Sequence, residues 1–513
     1  MSEITLSFTK RCAGLPFLAL LLLAPGAAAA QAAPETAAPK PHISAAQAKE
    51  LFRSVDTILR FDAKDTGLPI HRPVKRRLMT REQVVAFLKK KMDEDKDTAR
   101  IERSAIVLEK FGLLPRHFEL RPFLLKLLGE QVAGFYDSKT KTVNLLDWID
   151  ADSQKPVLAH ELTHALQDQY QGARGVDLDK WENAGPDGTA QNVGQDREHI
   201  RFDETDSARE AVLEGQAMVA YLDWGLGGRG QSLRTLPAIQ LESMNDATGK
   251  DADSPILSSA PLVLRESLLF PYQEGLVFEQ TLLKSRGTQG AFAAVLNRPP
   301  STTWEILHPE AYLRGVQPPL LQMPDLHPLL DADWAPYDVG VMGALDVRML
   351  GEALGDKGAG ADAALAWDGG LYYAAQSRSA FFPGKTEAAR NDPASIALVY
   401  LSRWKTAAAA TAFANVYRAS LPKRYKDLKT VEQTGMRSLF STEEGPVLVA
   451  QGDRYVFVSQ SLPVPLAEKT MALMIGVQGG AGIAAQLGES VTAPLRRFLA
   501  RQATLRAAMS QVY

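Results

Sequence analysis

The chain has 513 residues, of which 45% are hydrophobic and 23% charged, and its formal net charge is -3. This composition is typical of a globular protein with two or three domains and excludes a disordered or fibrous chain. The balance of 57 basic and 60 acidic side chains leaves no overall field to attract nucleic acid or anionic lipid. The single cysteine, Cys12, excludes a disulfide framework and metal sites built from several thiolates.

Residues 1–30 have the pattern of a signal peptide. Lys10 and Arg11 precede an apolar run at 15–23, and alanines at 28–30 supply a cleavage site. The apolar run is too short to span a bilayer. We therefore expect an exported protein, periplasmic or secreted, without a membrane span after cleavage. The mature chain would lack cysteine, so a metal site in it would use His and carboxylate ligands.

The rest of the chain divides by pattern into a leader and three larger regions. Residues 31–48 are rich in Ala and Pro, which predicts a flexible leader. Residues 49–132 form a predicted helical N-terminal region, because apolar side chains recur at helical spacing. The predicted helices in it cover residues 49–61, 80–92, 98–111 and 118–132. The capping-box spacing of Thr80 and Gln83 marks the start of the second helix.

Strand signals follow the helical region. Residues 134–137 and 142–146 flank a polar turn, which predicts a hairpin and therefore an α+β fold. Beyond residue 315, segments 367–373 and 455–459 predict strands in a C-terminal α+β region at 315–513. Residues 471–485 are apolar and hold four glycines, which favours a buried strand and turn over a membrane span.

A glycine-rich segment at residues 225–230 matches G-x-G-x-x-G. A dinucleotide-binding loop needs a strand before it, whereas this segment follows a predicted helix. The segment therefore predicts a helix cap and loop.

The most informative motif is His160-Glu161-Leu-Thr-His164, an H-E-x-x-H sequence. On a helix, positions i and i+4 lie on one face, so both imidazoles can bind one zinc ion. Glu161 can reach a water on the metal without being a ligand, and it can accept the proton of that water as general base. Uncharged neighbours predict a buried helix. Two hydrogen-bonded core histidines remain the alternative interpretation.

A third metal ligand is expected because catalytic zinc sites usually have three protein ligands. Metzincins place further motif residues where this chain has Gln167 and Tyr170, so that pattern does not fit. Glu214 lies within the apolar face of a predicted helix at 207–224, where an unpaired carboxylate is costly to bury. Glu210, one turn earlier, is the alternative ligand. Gly215 would allow a second helix to approach closely.

Supporting residues remain open at this point. Three carboxylates are candidates to accept a hydrogen bond from a metal-bound histidine, namely Asp168, Asp203 and Asp206. Three further side chains are candidates to stabilise an oxyanion, namely His199, Tyr272 and His308.

The motif and its surroundings resemble zinc metallopeptidases of the gluzincin type, which pair an H-E-x-x-H helix with a later glutamate helix. Four segments are similar to a group of poorly characterised exported bacterial zinc-peptidase-like proteins, at residues 133–137, 158–168, 211–215 and 299–310. The similarity begins near Pro69. It implies a zincin-like catalytic domain at 133–314, with a small sheet and the H-E-x-x-H helix. It also implies that strand 142–146 is the edge that binds an extended peptide.

These observations predict an exported zinc hydrolase that cleaves peptide bonds. One Zn²⁺ is bound by His160, His164 and Glu214, Glu161 is the general base, and the partner is a protein or peptide substrate. Two alternatives remain. One is a non-catalytic cell-envelope binding protein with a structural or vestigial zinc site, and the other is a zinc hydrolase of a non-peptide amide. Nucleic acid is not an expected partner, and the oligomeric state is not predicted.

Overall fold

The computed structural model describes residues 18–20, 43–94, 98–183, 192–239 and 254–480. The fold of these residues is α+β, which confirms the predicted class. Most of the predicted signal peptide and leader lies outside them. In the described part of the chain, no helix combines the length and apolar character needed to cross a membrane.

The N-terminal region is mainly helical, as its periodicity predicts. Its helices are α1 (Ala45–Thr66), α2 (Arg81–Glu94), α3 (Thr98–Phe111) and α4 (Leu120–Gln131). Helix α1 begins inside the predicted leader, because Ser44 forms a capping box with Gln47. The predicted capping box at α2 is also present, with Thr80 N donating to Gln83 Oε1 and Gln83 N donating to Thr80 Oγ1.

A four-stranded sheet lies beside these helices. Its strands are β1 (Leu18–Leu20), β2 (Lys75–Met79), β3 (Val132–Asp137) and β4 (Thr142–Leu146), in the order β1-β3-β4-β2. The predicted hairpin is confirmed as β3 and β4. The prediction that 142–146 forms a sheet edge is wrong, because β2 pairs in parallel with β4 and covers its other side.

The central part of the chain is helical. Its helices are α5 (Gln154–Ala173), α6 (Leu178–Glu182), α7 (Val193–Phe202), α8 (Thr205–Gly227), α9 (Pro255–Ser258), α10 (Leu262–Gln289), α11 (Val295–Asn297), α12 (Thr303–Leu307) and α13 (Pro309–Arg314). A π-helical turn, Gly290–Ala294, joins α10 to α11. Helix α8 packs against both α5 and α10. It therefore links the two other long helices of this region.

Two glycines set the spacing between α8 and α10. A Cβ atom on Gly215 would lie 2.3 Å from the carbonyl oxygen of Gly275, and one on Gly275 would lie 2.2 Å from that of Ala211. The predicted close helix approach at Gly215 is therefore present. At its C-terminal end, α8 stops at Gly227 and is capped by Gly228, as the glycine-rich segment predicts.

The C-terminal region contains an antiparallel sheet of seven strands in the order β5-β6-β7-β11-β10-β9-β8. The strands are β5 (Trp334–Val341), β6 (Trp367–Ser377), β7 (Ile396–Trp404), β8 (Lys429–Gln433), β9 (Arg437–Thr442), β10 (Gly445–Gly452) and β11 (Tyr455–Gln460). The strands predicted at 367–373 and 455–459 are thus confirmed within β6 and β11.

Helices flank and connect these strands. They are α14 (His327–Leu330), α15 (Ala344–Leu354), α16 (Lys357–Ala366), α17 (Glu387–Arg390), α18 (Ala407–Arg424) and α19 (Val464–Gly476), with 3-10 turns at Arg378–Phe381 and Pro393–Ser395. The strand predicted from residue 471 is wrong. Residues 471–476 end helix α19, where Met, Ala and Leu are good helix formers and pack beneath the large sheet. Residues 481–485 lie outside the described part.

One large apolar core runs through all three regions. It includes Leu51 of α1, Leu162 of α5, Leu213 of α8 and Val458 of β11. A second core fills the space between the large sheet and α19. The boundaries placed at residues 132 and 314 remain predictions, since the main core continues across both.

Candidate metal centre

Helices α5 and α8 cross inside the core and bring the predicted ligands together. Helix α5 carries His160 and His164 on consecutive turns, and α8 carries Glu214. Leu158 and Leu162 of α5 are fully buried, which fixes the rotation of this helix about its axis. The two imidazoles consequently face α8.

The three side chains converge on one point. His160 Nε2 lies 2.9 Å from Glu214 Oε2 and 3.1 Å from His164 Nε2. His164 Nε2 lies 3.5 Å from the same carboxylate oxygen. Across the described residues, this is the only group of three potential ligands whose atoms all lie within 4.8 Å of one another. The group could hold a metal ion.

The pKa shifts of His160 and Glu214 favour the forms that bind a metal, whereas Glu214 outweighs burial and raises the pKa of His164. Burial lowers the pKa of His160, although the Glu214 carboxylate acts in the opposite direction. Burial would raise the pKa of Glu214, but His164 and His160 more than offset it and hold this pKa at about 2. A neutral imidazole and an ionised carboxylate are the forms that coordinate metals.

His164 has an outer partner that the sequence analysis missed. Its Nδ1 lies 2.8 Å from Gln167 Oε1. The amide of Gln167 donates in turn to the Leu213 carbonyl at 3.0 Å and to Gln216 Oε1 at 2.9 Å, so its oxygen must face the histidine. His164 Nδ1 is therefore the donor, and Nε2 is the nitrogen that faces the other two ligands. The only indication of this contact in the sequence is that Gln167 follows His164 by three positions.

The carboxylates predicted for that outer role lie elsewhere. Asp168 accepts hydrogen bonds from Arg72, Lys141 and the Tyr136 hydroxyl. Asp203 accepts from the Val341 amide at 2.7 Å, near the large sheet.

Asp206 is in the first turn of α8, two turns before Glu214. The outer acceptor of His164 is therefore Gln167.

Glu161 is placed beside the ligand group by β3. Its side chain is fully buried, and Oε2 accepts a 2.6 Å hydrogen bond from the backbone amide of Tyr136. The neighbouring Gly134 leaves room for α5, since a Cβ there would lie 3.1 Å from Val157 and 3.8 Å from Glu161 Cγ. The carboxylate is thus held at the centre without belonging to the three-ligand group.

Of the three candidate oxyanion donors, the structure brings Tyr272 to the centre. Its ring stacks on that of His160 with centroids 5.9 Å apart, and its side chain is buried. Burial, together with Glu214 and other nearby acids, raises the pKa of the phenol well above its usual value. Tyr272 is therefore a neutral hydroxyl. His199 pairs with Asp203 on α7, and His308 stacks on Trp304.

Two further acids flank Glu214. Glu210 is half-buried, and burial with the nearby Glu214 and Asp206 raises its pKa to about 8. Glu182 of α6, which the sequence analysis missed, is also buried, and burial followed by Glu210 raises its pKa. Glu214, rather than Glu210, joins the two histidines, which agrees with the preferred assignment.

Comparisons of the chain with known protein families, with curated proteins and with solved structures found no match in any of the three. The functional argument therefore depends on the chemistry of the centre itself.

Proposed function

We propose that the protein is an exported zinc-dependent hydrolase that cleaves peptide bonds. Two imidazole nitrogens and one carboxylate oxygen form a donor set that suits Zn²⁺ and leaves a fourth position open. His160, His164 and Glu214 would hold the ion. Bound there, zinc would lower the pKa of a coordinated water toward about 7 and polarise a substrate carbonyl.

One observation carries this proposal: a buried carboxylate, Glu161, is held beside the ligands by a backbone amide. A purely structural zinc site has four protein ligands and needs no adjacent carboxylate. Across the described residues, the centre offers three ligands.

Three other side chains of the centre have separate roles in the proposed reaction. Glu161 accepts the proton of the attacking water, with its position fixed by the Tyr136 amide. Tyr272 donates its hydroxyl proton in a hydrogen bond to the carbonyl oxygen as negative charge develops there. Gln167 keeps His164 in the tautomer that presents Nε2 to the metal.

The outer edge of β3 supports a site for the peptide backbone. In the full chain this edge pairs with the short strand β1, in antiparallel register from Leu18 opposite Phe135 to Leu20 opposite Val132. Strand β1 lies within the predicted signal peptide. We propose that signal cleavage frees this edge for an extended substrate, which would pair with it as an added strand.

The proposal is tested by comparing the chain with its Glu161→Gln variant on a denatured protein mixture. We expect zinc-dependent cleavage by the former and a loss of about 100-fold to 10,000-fold in the latter, with zinc content unchanged. Glu310→Gln, at an exposed position on α13, is the matched control. Cleavage that survives both the Glu161→Gln change and chelation would contradict the mechanism.

A second candidate is a non-catalytic envelope protein with a structural zinc site. The burial of all three ligands favours it, since their side chains are at most 3% exposed. Under this alternative, a chelator lowers thermal stability but wild-type protein cleaves neither peptides nor other amides. A panel containing both substrate types therefore separates the candidates, including a hydrolase that prefers non-peptide amides.

A further inference from the structure

A second group of His and Asp side chains lies on the face of α7 that packs against β5. It consists of Asp196 and His199 in α7 and Asp203 at its C-terminal cap. All three residues are at most 3% exposed. Their spacing of three and four positions places them on one side of the helix.

The contact between His199 and Asp203 is unusual. His199 Nε2 lies 3.0 Å from Asp203 Oδ1, yet within the described part of the chain neither atom makes a hydrogen bond. This distance suits a hydrogen bond, so the angle between the two groups is what prevents one. The other ring nitrogen of His199 is also buried without a hydrogen-bond partner. Such buried polar atoms are costly, which indicates a missing third group.

Asp196 adds another unused oxygen. Its Oδ2 pairs with Nε2 of His327, from α14, at 3.0 Å, while its Oδ1 is buried without a hydrogen-bond partner. His327 therefore anchors the carboxylate from one side and leaves the other oxygen available. Carboxylates that bind a metal usually accept a hydrogen bond of this kind from a neighbouring group.

The local charge also favours a cation. Asp196, Asp203 and Glu204 are each at most 2% exposed, and in the described ranges no Lys or Arg forms an ion pair with them. Burial raises the pKa of Asp196 despite His327, and it raises that of Glu204 to about 7. In the described part of the chain, the ion-pair partners of these acids are thus histidines alone, His327 for Asp196 and His199 for Asp203.

We propose that His199, Asp203 and Asp196 bind a second divalent metal ion. Two ligands at about 2.1 Å from one ion are about 3.0 to 3.4 Å apart at octahedral or tetrahedral angles. The 3.0 Å separation of His199 Nε2 and Asp203 Oδ1 fits this range, as does the 3.1 Å between the histidines of the first centre. Nitrogen and carboxylate donors suit zinc and similar divalent ions. Asp196 would complete the set by turning its free oxygen toward the pair, since the three residues do not yet place ligand atoms within 4.8 Å of one another.

The ion would fasten the segment before α8 to the C-terminal sheet. Asp203 already accepts a hydrogen bond from the Val341 amide at the end of β5, and His327 belongs to the helix that precedes that strand. The second site is therefore structural. It does not depend on the proposed peptidase activity.

Metal stoichiometry tests the proposal. The full chain is stripped with a chelator, equilibrated with zinc, desalted, and assayed for zinc per chain by atomic emission. We expect two ions in the wild type and one in the His199→Gln/Asp203→Asn variant. One ion is also expected in the His160→Gln/His164→Gln variant, which removes the first centre. The matched control His71→Gln, at an exposed position, should keep two.

Two results would overturn the inference. One is a single ion in the wild type that is lost in the His160→Gln/His164→Gln variant, which would mean that water fills the α7 cluster. The other is an unchanged stoichiometry in the His199→Gln/Asp203→Asn variant. If the His199→Gln/Asp203→Asn variant fails to fold, the ion count of the His160→Gln/His164→Gln variant remains decisive, because the α7 cluster alone would hold the ion that stays. Loss of the first centre alone would contradict the peptidase proposal and leave this one intact.

Discussion

Glu214 Oε2 lies 2.9 Å from His160 Nε2, although 54 positions separate the two residues in the chain. Helix packing therefore completes a ligand group that the H-E-x-x-H motif only begins. The same packing leaves Glu210 one turn away, outside the three-ligand group. This difference between two acids on one helix gives a direct test of the ligand assignment.

Glu214→Gln should weaken zinc binding by more than about 100-fold, because loss of an outer partner alone costs about 10-fold to 100-fold. Glu210→Gln should change the affinity by less than about tenfold, since Glu210 is not a ligand. Competition with a chromogenic chelator measures both dissociation constants. The reverse order of effects would assign the ligand to Glu210.

Gln167→Leu should weaken zinc binding by about 10-fold to 100-fold while the three ligands remain in place. The substitution removes the 2.8 Å contact that orients His164. Gln171→Leu is the matched control, since Gln171 is also buried in α5 but bonds to the Leu296 carbonyl. Equal losses of affinity in the two variants would indicate general destabilisation, which chemical unfolding of each would then quantify.

Gly215→Ala should lower the free energy of unfolding by about 1 to 3 kcal/mol, because the new methyl group would overlap the Gly275 backbone. Gly225→Ala, on the same helix, has open space at its Cβ and should be neutral or stabilising by up to about 1 kcal/mol. Urea unfolding followed by circular dichroism compares them. Equal stability of the two variants would contradict the close helix contact.

Stability should rise with pH between about 8 and 10.5 because of Lys110. Burial lowers the pKa of this lysine to about 8, although Glu444, 2.9 Å away, acts in the opposite direction. In that interval the folded chain releases the proton before the unfolded chain does, so the unfolded state binds more protons. The free energy of unfolding then increases by up to about 1.4 kcal/mol per pH unit.

Unfolding in urea at several pH values measures this slope. The Lys110→Met variant should lose the rise, whereas Lys423→Met, at an exposed position, should keep it. Glu444 retains Arg116 as a partner at 2.7 Å in the Lys110→Met variant, so the comparison does not leave that carboxylate unpaired. Identical slopes in both variants would contradict the assignment.

The sequence predicts the parts of this structure that depend on local spacing. His160, Glu161 and His164 share one helix, and the apolar face around Glu214 indicates burial. One feature depends on pairing between distant segments. Strand β2, which removes β4 from the sheet edge, begins with the basic residues Lys75 and Arg76 and pairs with a strand whose first residue is 142. No local periodicity encodes such a partner.

Other features depend on which of several neighbouring side chains forms a given contact. Gln167 and Asp168 are adjacent in sequence, and a carboxylate is the more usual acceptor for a metal-bound histidine. In the structure Gln167 has this role instead, because Asp168 forms ion pairs with Arg72 and Lys141. In α19, helix propensity and packing beneath the sheet outweigh the glycines that follow.

The shared core has a consequence for how the protein acquires its structure. Residues from Leu51 to Val458 pack in one cluster, and Lys110 pairs with Glu444 across 334 positions. N-terminal segments therefore cannot complete their packing until C-terminal segments have formed. Such non-local contacts slow folding. Limited digestion should not release an independently folded fragment carrying α5 and α8. Unfolding should be cooperative across these regions, so damage to β11 would disable the distant ligand group as well.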